Sequence, residues 1–587
     1  YQLLASGRFL AEERRGDRRW QKRRLEQAGL GVSFALGKFK VVELDVDGLD
    51  VTLAIDDNLI AARRWDWEEI DDAVVSATRY FTEIFGPLER QHLTLVTVPS
   101  YLSQSLPGFV HLSNLVLAAP RSFSTYNDAR LLIAHEIAHQ WWGNAIGWKT
   151  YRDQWITEAM ADYSALLWAR NGADPEMRLP SQPKNDWQRL LVQKLRDGRP
   201  VEAVGPLVLG QRLQSSLSPN AYSSIVYSKG AVVIDMLSCF WTEETFVEIL
   251  GHFVRAANGH MLSTEDFFDV LERLTGASLQ PFANRFVYAT GLPEIYYDYE
   301  FESLDDGRTR VQIEAEQELP YRLQHAIVES PWGLDVRSTA VQQLDDQVIP
   351  LVVPFQIRLA SEGPADERVR TLNGRIQLTE QRTELTFEIE PSPERLRLDE
   401  DGQVFGRFFN QQVSPKRTGF FRATSLLQSG EVDAARDRLV ELLDFRTPVP
   451  EGRDADRFAE WDRVTDCWIR LRLADLELAA GDLDAAVRHV EVASKLAKRD
   501  RSLRSVRQRY EAHMALLQGD VDAAYRQLRR LQRRLGKRAA VPVRMLGALA
   551  AWRTGRHDEA REILDALDGT GADVELLRQQ LDAAGDS

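Results

Sequence analysis

The chain has little cysteine: two in 587 residues, Cys239 and Cys467. Two cysteines so far apart build no disulfide framework and match no metal-site spacing, which leaves the redox compartment open. Long apolar runs are missing too, and nothing approaches the length of a membrane span. Tyr1 is preceded by no initiator Met and no signal pattern. The sequence therefore reads as the remainder of a longer protein, with its targeting region not present and its localisation unknown. Net positive charge is absent. A balance of -15 argues against a nucleic-acid or anionic-membrane partner and favours solubility. One stretch, 495–538, is strongly basic, but its aromatics are too sparse for base stacking, so it reads as a solvated or inter-domain face. The acidic turns of 295–414 contain no D-x-D-x-D-G loop and read as solvated turns, not calcium sites.

Histidine is scarce as well, at ten residues, and that makes its placement informative. Residues 131–163 read LLIAHEIAHQWWGNAIGWKTYRDQWITEAMADY. His135-Glu136-Ile137-Ala138-His139 is an H-E-x-x-H, and eighteen residues separate His139 from Glu158. The apolar surroundings, unbroken by Pro or Gly, predict a buried helix. Residues four apart share a helix face, so His135 and His139 can offer imidazole nitrogens to one ion. Glu158, on a second helix after the 143–154 connection, can complete a His₂Glu set for zinc, which keeps one open position in hydrolases. The ion lowers the pKa of its water to about 7, and Glu136 is placed as the general base that takes the proton. Asp162, four residues after Glu158, is a candidate to orient a metal-bound histidine from behind.

HEIAHQWWGN followed by W-I-T-E-A-M-A-D-Y resembles the aminopeptidase N family of zinc metallopeptidases, the gluzincin pattern H-E-x-x-H-x18-E. Thr157 and Ala159 stand where that family has Asn and Gly, and neither change touches a ligating atom. The resemblance implies one zinc ion per chain, a peptide substrate and a thermolysin-like catalytic domain. AYSSIVYSKG, residues 221–230, is similar to the family's Y-x-K-G segment. This makes Tyr227 the implied donor to the oxyanion and Tyr222 a tyrosine near the pocket. The family also carries G-x-M-E-N, whose glutamate receives the substrate's α-amine. Here the closest stretch is PGFVHLSN, with Gly108 in place and His111 where the glutamate should be. A neutral imidazole cannot make the ammonium–carboxylate pair, although an edge strand there could still hold an extended peptide by its main chain.

Along the chain, a multidomain α+β organisation is expected, with roughly three or four domains for this length. Residues 1–54 are β-rich, with hairpin arms at 8–14 and 18–24. By resemblance they are the C-terminal part of an N-terminal β-saddle domain. Residues 55–294 read as the zinc peptidase domain: a helix over 67–85, strands over 93–98 and 115–119, then helices over 187–195, 221–240, 243–257, 264–275 and 279–288. Residues 295–414 have the short alternating strands of a β-sandwich. Residues 415–587 repeat GEVDAARDRL, GDLDAAVRHV, GDVDAAYRQL and GRHDEAREIL. Intervals near the ~34-residue tetratricopeptide period indicate an α-solenoid, with the first interval too long for one unit.

The leading reading is a zinc-dependent metallopeptidase releasing N-terminal residues. Two alternatives stay open. One is a metallopeptidase of altered specificity, because of His111. The other is a catalytically silent peptidase-fold scaffold that binds a protein partner through its helical repeats.

Overall fold

The computed structural model describes all residues except 26–30, 58–66, 90–91, 101, 115–128, 173–181, 194, 196–199, 216–217, 319–320, 343–347, 360–369, 391, 429, 450–454, 499, 501–502, 537–538, 569–571 and 586–587. The strand expected over 115–119 lies outside the described residues. In Phe39–Val46 and Leu49–Asp56 the polar and apolar side chains alternate around Asp47-Gly48, both with positive φ (55° and 89°). That pair of left-handed residues makes the tight turn whose twist suits a hairpin. The hairpin opens a five-stranded sheet. Leu49–Asp56 runs parallel to His92–Val98, which runs parallel to Phe109–Ser113, and the short Gln104–Leu106 closes the edge antiparallel. The sheet is continuous across the boundary expected after residue 54. Main-chain pairing, which composition does not mark, attaches Phe39–Asp56 to His92–Val98 of the following segment.

One face of this sheet (Val51, Leu53, Leu93, Leu95, Val110, Leu112) packs on helices Trp67–Phe85 and Ala129–Ala138. The other face (Ala54, Val96, Phe109) packs on Ala35 of the N-terminal strands. The helical half continues with Trp155–Leu167, Gln182–Val192, Ser223–Lys229 running into Gly230–Ser238, Glu243–Ala257, Thr264–Thr275 and Gln280–Phe286. Local signals set the last starts. Thr242 accepts from the Thr245 amide, and Ser263 with Asp266 forms a reciprocal capping box.

Seven strands between residues 294 and 410 form two facing sheets. The first has the order Arg382–Ile389, Thr309–Glu318, Glu294–Ser303, Arg407–Asn410, and the second Thr371–Leu378, Leu351–Leu359, Pro393–Leu398. Ile295, Val311 and Ile313 meet Val353, Ile357 and Leu396 in a core continuous with that of the helical half. The hairpin of Tyr321–Ser330 and Gly333–Gln342 belongs to neither sheet. Its Ile327, Leu334 and Val336 are buried among Leu516, Leu546 and Leu549 of the C-terminal helices.

Among the described residues, those helices number nine, from Pro415–Gln428 to Glu575–Gly585. Each repeat begins with a left-handed glycine (Gly430, Gly481, Gly519 and Gly555, φ 74–90°). Five residues on stands an alanine with no exposed surface: Ala435, Ala486, Ala524 and Ala560. The glycine ends one helix, and the alanine lets the next lie close against it. The long first interval is accounted for by Ala455–Ala480, a helix of 26 residues where Arg504–Leu517 has 14. No single helix among the described residues is long and apolar enough to cross a membrane.

Candidate metal centre

Ala129–Ala138 is buried at every position except Arg130. From it His135 reaches Glu158 and Asp162 on the helix Trp155–Leu167. His139 follows in the first turn beyond the helix, its amide still bonded to the His135 carbonyl. His135 Nε2 and His139 Nε2 are 3.0 Å apart, and Glu158 Oε2 lies 3.3 Å from the second and 3.8 Å from the first. Three atoms at those separations leave a point about 2.0 Å from each, the length of a zinc–nitrogen bond.

The hydrogen bonds behind the rings decide what the three atoms want. His139 Nδ1 lies 2.7 Å from the Trp142 carbonyl, which can only accept, so Nδ1 carries the hydrogen and Nε2 the lone pair. His135 Nδ1 donates in the same way to Asp162 Oδ1 at 2.6 Å, with Asp162 fully buried. Two imidazole lone pairs and a carboxylate oxygen thus converge, and like dipoles repel unless a cation sits between them. With no metal a proton takes that place. Burial opposes charge on His139, but Glu158 beside it overrides burial and holds its pKa at about 9. Glu158 is itself buried, which would raise it, yet His139 keeps it below the usual carboxylate value. A donor set of two nitrogens and one oxygen fits zinc.

Glu136 is buried on the same helix. Burial pushes its carboxyl up while the two histidines pull it down. Tyr227 lies against the cluster, its ring 6.0 Å from that of His135 and inclined by 24°. Burial first, then the carboxylates of Glu158, Asp162 and Glu136, raise its phenol far above the ordinary value. The hydroxyl therefore stays a donor. Tyr222 meets Tyr227 edge to face at 5.9 Å, and burial together with Glu158 pushes it up to about 12.

Tyr227 sits in Ser223–Lys229, a widened π-helical turn. Such turns insert one extra residue into a helix and cluster at functional sites. The turn is anchored on both flanks. Lys229 Nζ, fully buried, donates to Glu202 Oε1 at 2.9 Å, and a Cβ on Gly230 would stand 2.7 Å from that of Ala159. Helix contact at this level admits one small residue facing another, and here Ala159 and Gly230 fill the two places.

Gly108 and His111 have hydrogen-bond partners outside the three-residue cluster. Phe109–Ser113, expected at the sheet edge, is the second strand, and Gln104–Leu106 lies outside it. Pro107-Gly108, read only as part of a strand, turns the chain into a hairpin, with Gly108 at φ 69°. The Gly108 N–H is already donated, to Gln140 Oε1 at 2.8 Å. His111 lies on the sheet face toward the N-terminal strands, its Nε2 3.1 Å from Ser33 Oγ and its ring edge-on to Phe109. Burial lowers its pKa, so it is neutral at pH 7. Gln140 itself was not singled out from the sequence. A polar side chain directly after the second histidine, at the end of an otherwise apolar helix, was the available signal.

With this geometry in place, comparison with known proteins gives a consistent result. Residues 76–286 match the Peptidase family M1 domain. Those residues form an aminopeptidase N-like M1 domain. Tetratricopeptide repeats match over 468–491 and 543–566, both in the C-terminal helices. The chain is 26% identical over 231 residues to Aminopeptidase M1-D of Oryza sativa subsp. japonica, covering 38% of this chain and 26% of that protein. It is 34% identical over 195 residues to Aminopeptidase N of Bos taurus, covering 30% and 20%. The matched stretch thus spans about a quarter of the length of these relatives. Among solved structures, Legionella pneumophila aminopeptidase A in complex with aspartic acid is similar at 15% identity and a TM-score of 0.48, over 97% of this chain and 67% of that one. In the M1 domain, the three converging atoms come from the helix Ala129–Ala138, the turn directly after it and the helix Trp155–Leu167.

Proposed function

We propose that the chain is a zinc-dependent metallopeptidase that releases N-terminal residues from peptides. The observation that carries this reading is the convergence of His135 Nε2, His139 Nε2 and Glu158 Oε2. Both imidazole lone pairs are set toward one point by Asp162 and the Trp142 carbonyl. These three residues would hold the ion. When bound, zinc supplies a Lewis acid for the scissile carbonyl and makes a water acidic at neutral pH. Glu136, its basicity raised by burial, takes a proton from the attacking water and returns it to the leaving amine. Tyr227, held protonated, donates its O–H to the oxygen on which negative charge develops. Asp162 keeps His135 in the ligating tautomer. Tyr222 walls the site beside Tyr227.

One observation favours a second reading of the substrate. The position that the resemblance assigns to amine recognition holds His111, which is neutral and bonded to Ser33. It offers no anion to an α-ammonium, so amine recognition comes from another carboxylate, is weakened or is absent, and cleavage of internal or N-blocked peptides becomes the alternative. The C-terminal helical repeats are the proposed surface for a protein partner.

The test is direct. Zinc should bind at one ion per chain, and hydrolysis should disappear with a chelator and return with zinc. Glu136→Gln should keep the ion and lose turnover. Offered side by side, an aminoacyl arylamide and an N-blocked peptide separate the two substrate readings. If the chain binds no zinc and cleaves neither, both readings fail and a scaffold remains.

A further inference from the structure

The residue after the second metal ligand makes three hydrogen bonds into a different layer of the fold. Gln140 has no exposed surface. Its Oε1 accepts the Gly108 amide at 2.8 Å, and its Nε2 donates to Ser105 Oγ at 2.7 Å and to the Leu106 carbonyl at 3.1 Å. The orientation of the amide is fixed by chemistry. A backbone N–H can only donate and a carbonyl can only accept, so oxygen must face Gly108 and nitrogen must face Leu106. Asn144 Nδ2 reaches Ser105 Oγ as well, at 3.4 Å.

Two of Gln140's contacts fall on the outermost strand of the sheet and the third on the turn that follows it. Gln104–Leu106 pairs only inward, Leu106 with Phe109, Ser105 with Val110 and Gln104 with His111. Its other side has no neighbour strand among the described residues. In a two-residue hairpin the closing pair turns its polar groups inward, so the next residue out, Ser105, turns its N–H and C=O to the free edge. An extended peptide added there would be held by main-chain bonds.

We propose that Gln140 is a positioning residue: it holds this edge strand at a set distance from the metal ligands, so that a peptide lying along Ser105 presents its carbonyl to the ion. The inference rests on the peptidase reading above. Adjacent residues in one tight turn then serve the two halves of the task, His139 the metal and Gln140 the ledge. Substrates long enough to lie along the edge depend on the brace, and substrates that span a single residue do not.

The experiment compares zinc-loaded wild type, Gln140→Glu and Ser105→Ala on a long and a short substrate of whichever end chemistry the wild type cleaves. Gln140→Glu keeps shape and size but turns a carboxylate oxygen on the Leu106 carbonyl, an acceptor against an acceptor. Misplacement by about 1 Å costs about 10²-fold, so kcat/KM for the long substrate should fall by that order. The loss on the short one should be roughly tenfold smaller, with zinc content unchanged. Ser105→Ala removes a single arm at a half-buried site and should show the same length dependence, more weakly. Equal losses at both lengths, loss of zinc alongside activity, or no change in either variant would overturn the proposal. A wild type that cleaves neither substrate sinks the peptidase reading and this one with it. A wild type that cleaves both, with indifferent variants, sinks this one alone.

Discussion

A carboxylate behind a ligating imidazole sets both the tautomer and the electron density on the far nitrogen, and Asp162 at 2.6 Å from His135 is placed to do both. Asp162→Asn keeps an acceptor but loses the charge. Zinc affinity should drop by about 10–100-fold, measured by competition with a coloured chelator. Tyr227→Phe removes only a hydroxyl. Turnover should fall by about 10²–10³-fold with zinc affinity unchanged. Those two side chains were legible in the sequence for different reasons. Asp162 follows from helical spacing, since a residue four after Glu158 shares its face. Tyr227 follows only from the resemblance of YSKG. What the sequence did not mark were the partners: Ser33 for His111, Gly108 and Ser105 for Gln140. Each is a single polar contact between segments far apart in the chain, and no periodicity records such a contact.

Between elements, the spacing of helices is set by their smallest residues. Gly230→Ala would place a methyl 2.7 Å from Ala159 Cβ, pushing the Tyr227 turn away from the helix that carries Glu158. Overpacking of this kind costs about 1–3 kcal/mol. It should appear as a lower melting temperature together with reduced turnover. The π-helical turn just before Gly230 escaped the sequence reading, because an inserted residue leaves the apolar pattern of 221–240 looking like one helix. A second element contact carries a pH dependence. The 399–403 turn docks on the M1 domain, where Gln188 Nε2 donates to the Gly402 carbonyl at 2.8 Å. Burial raises the pKa of Asp399 to about 7, against bonds from the Val404 and Gln403 amides and the nearby Lys184. A carboxyl raised in the folded state favours folding fully below its unfolded value near ~3.9. That contribution is lost as pH climbs through about 7. Melting temperature should therefore decline from about pH 5 to 8, and Asp399→Asn should flatten that slope.

At the scale of the molecule, the four segments of the sequence are not four separate bodies. The β-rich middle lends a hairpin to the helical array. His513 Nε2 and Asp335 Oδ1 meet at 2.5 Å in a buried pair, and Arg553 donates to the carbonyls of Trp332 and Leu334. Parallel bonds join Ile327 to Asp573 and Asp573 to His325. Removing one member of such a pair is costly, about 3–5 kcal/mol. His513→Ala should therefore split thermal unfolding into two transitions, the helical array melting first. The glycine-punctuated helices were legible because a left-handed turn selects its residue. The hairpin over 321–342 was not, since its inward face is completed by Leu516, Leu546 and Leu549, some two hundred residues further on. Anyone dividing this protein for separate study thus faces an unusual cut. Scissors applied at residue 414 would strip the cover from Ile327, Leu334 and Val336 and leave a greasy, unmatched ribbon on the front half. The tail would be left with a gap where that ribbon had been. Two clean halves would require lifting 321–342 out of one piece and grafting it onto the other.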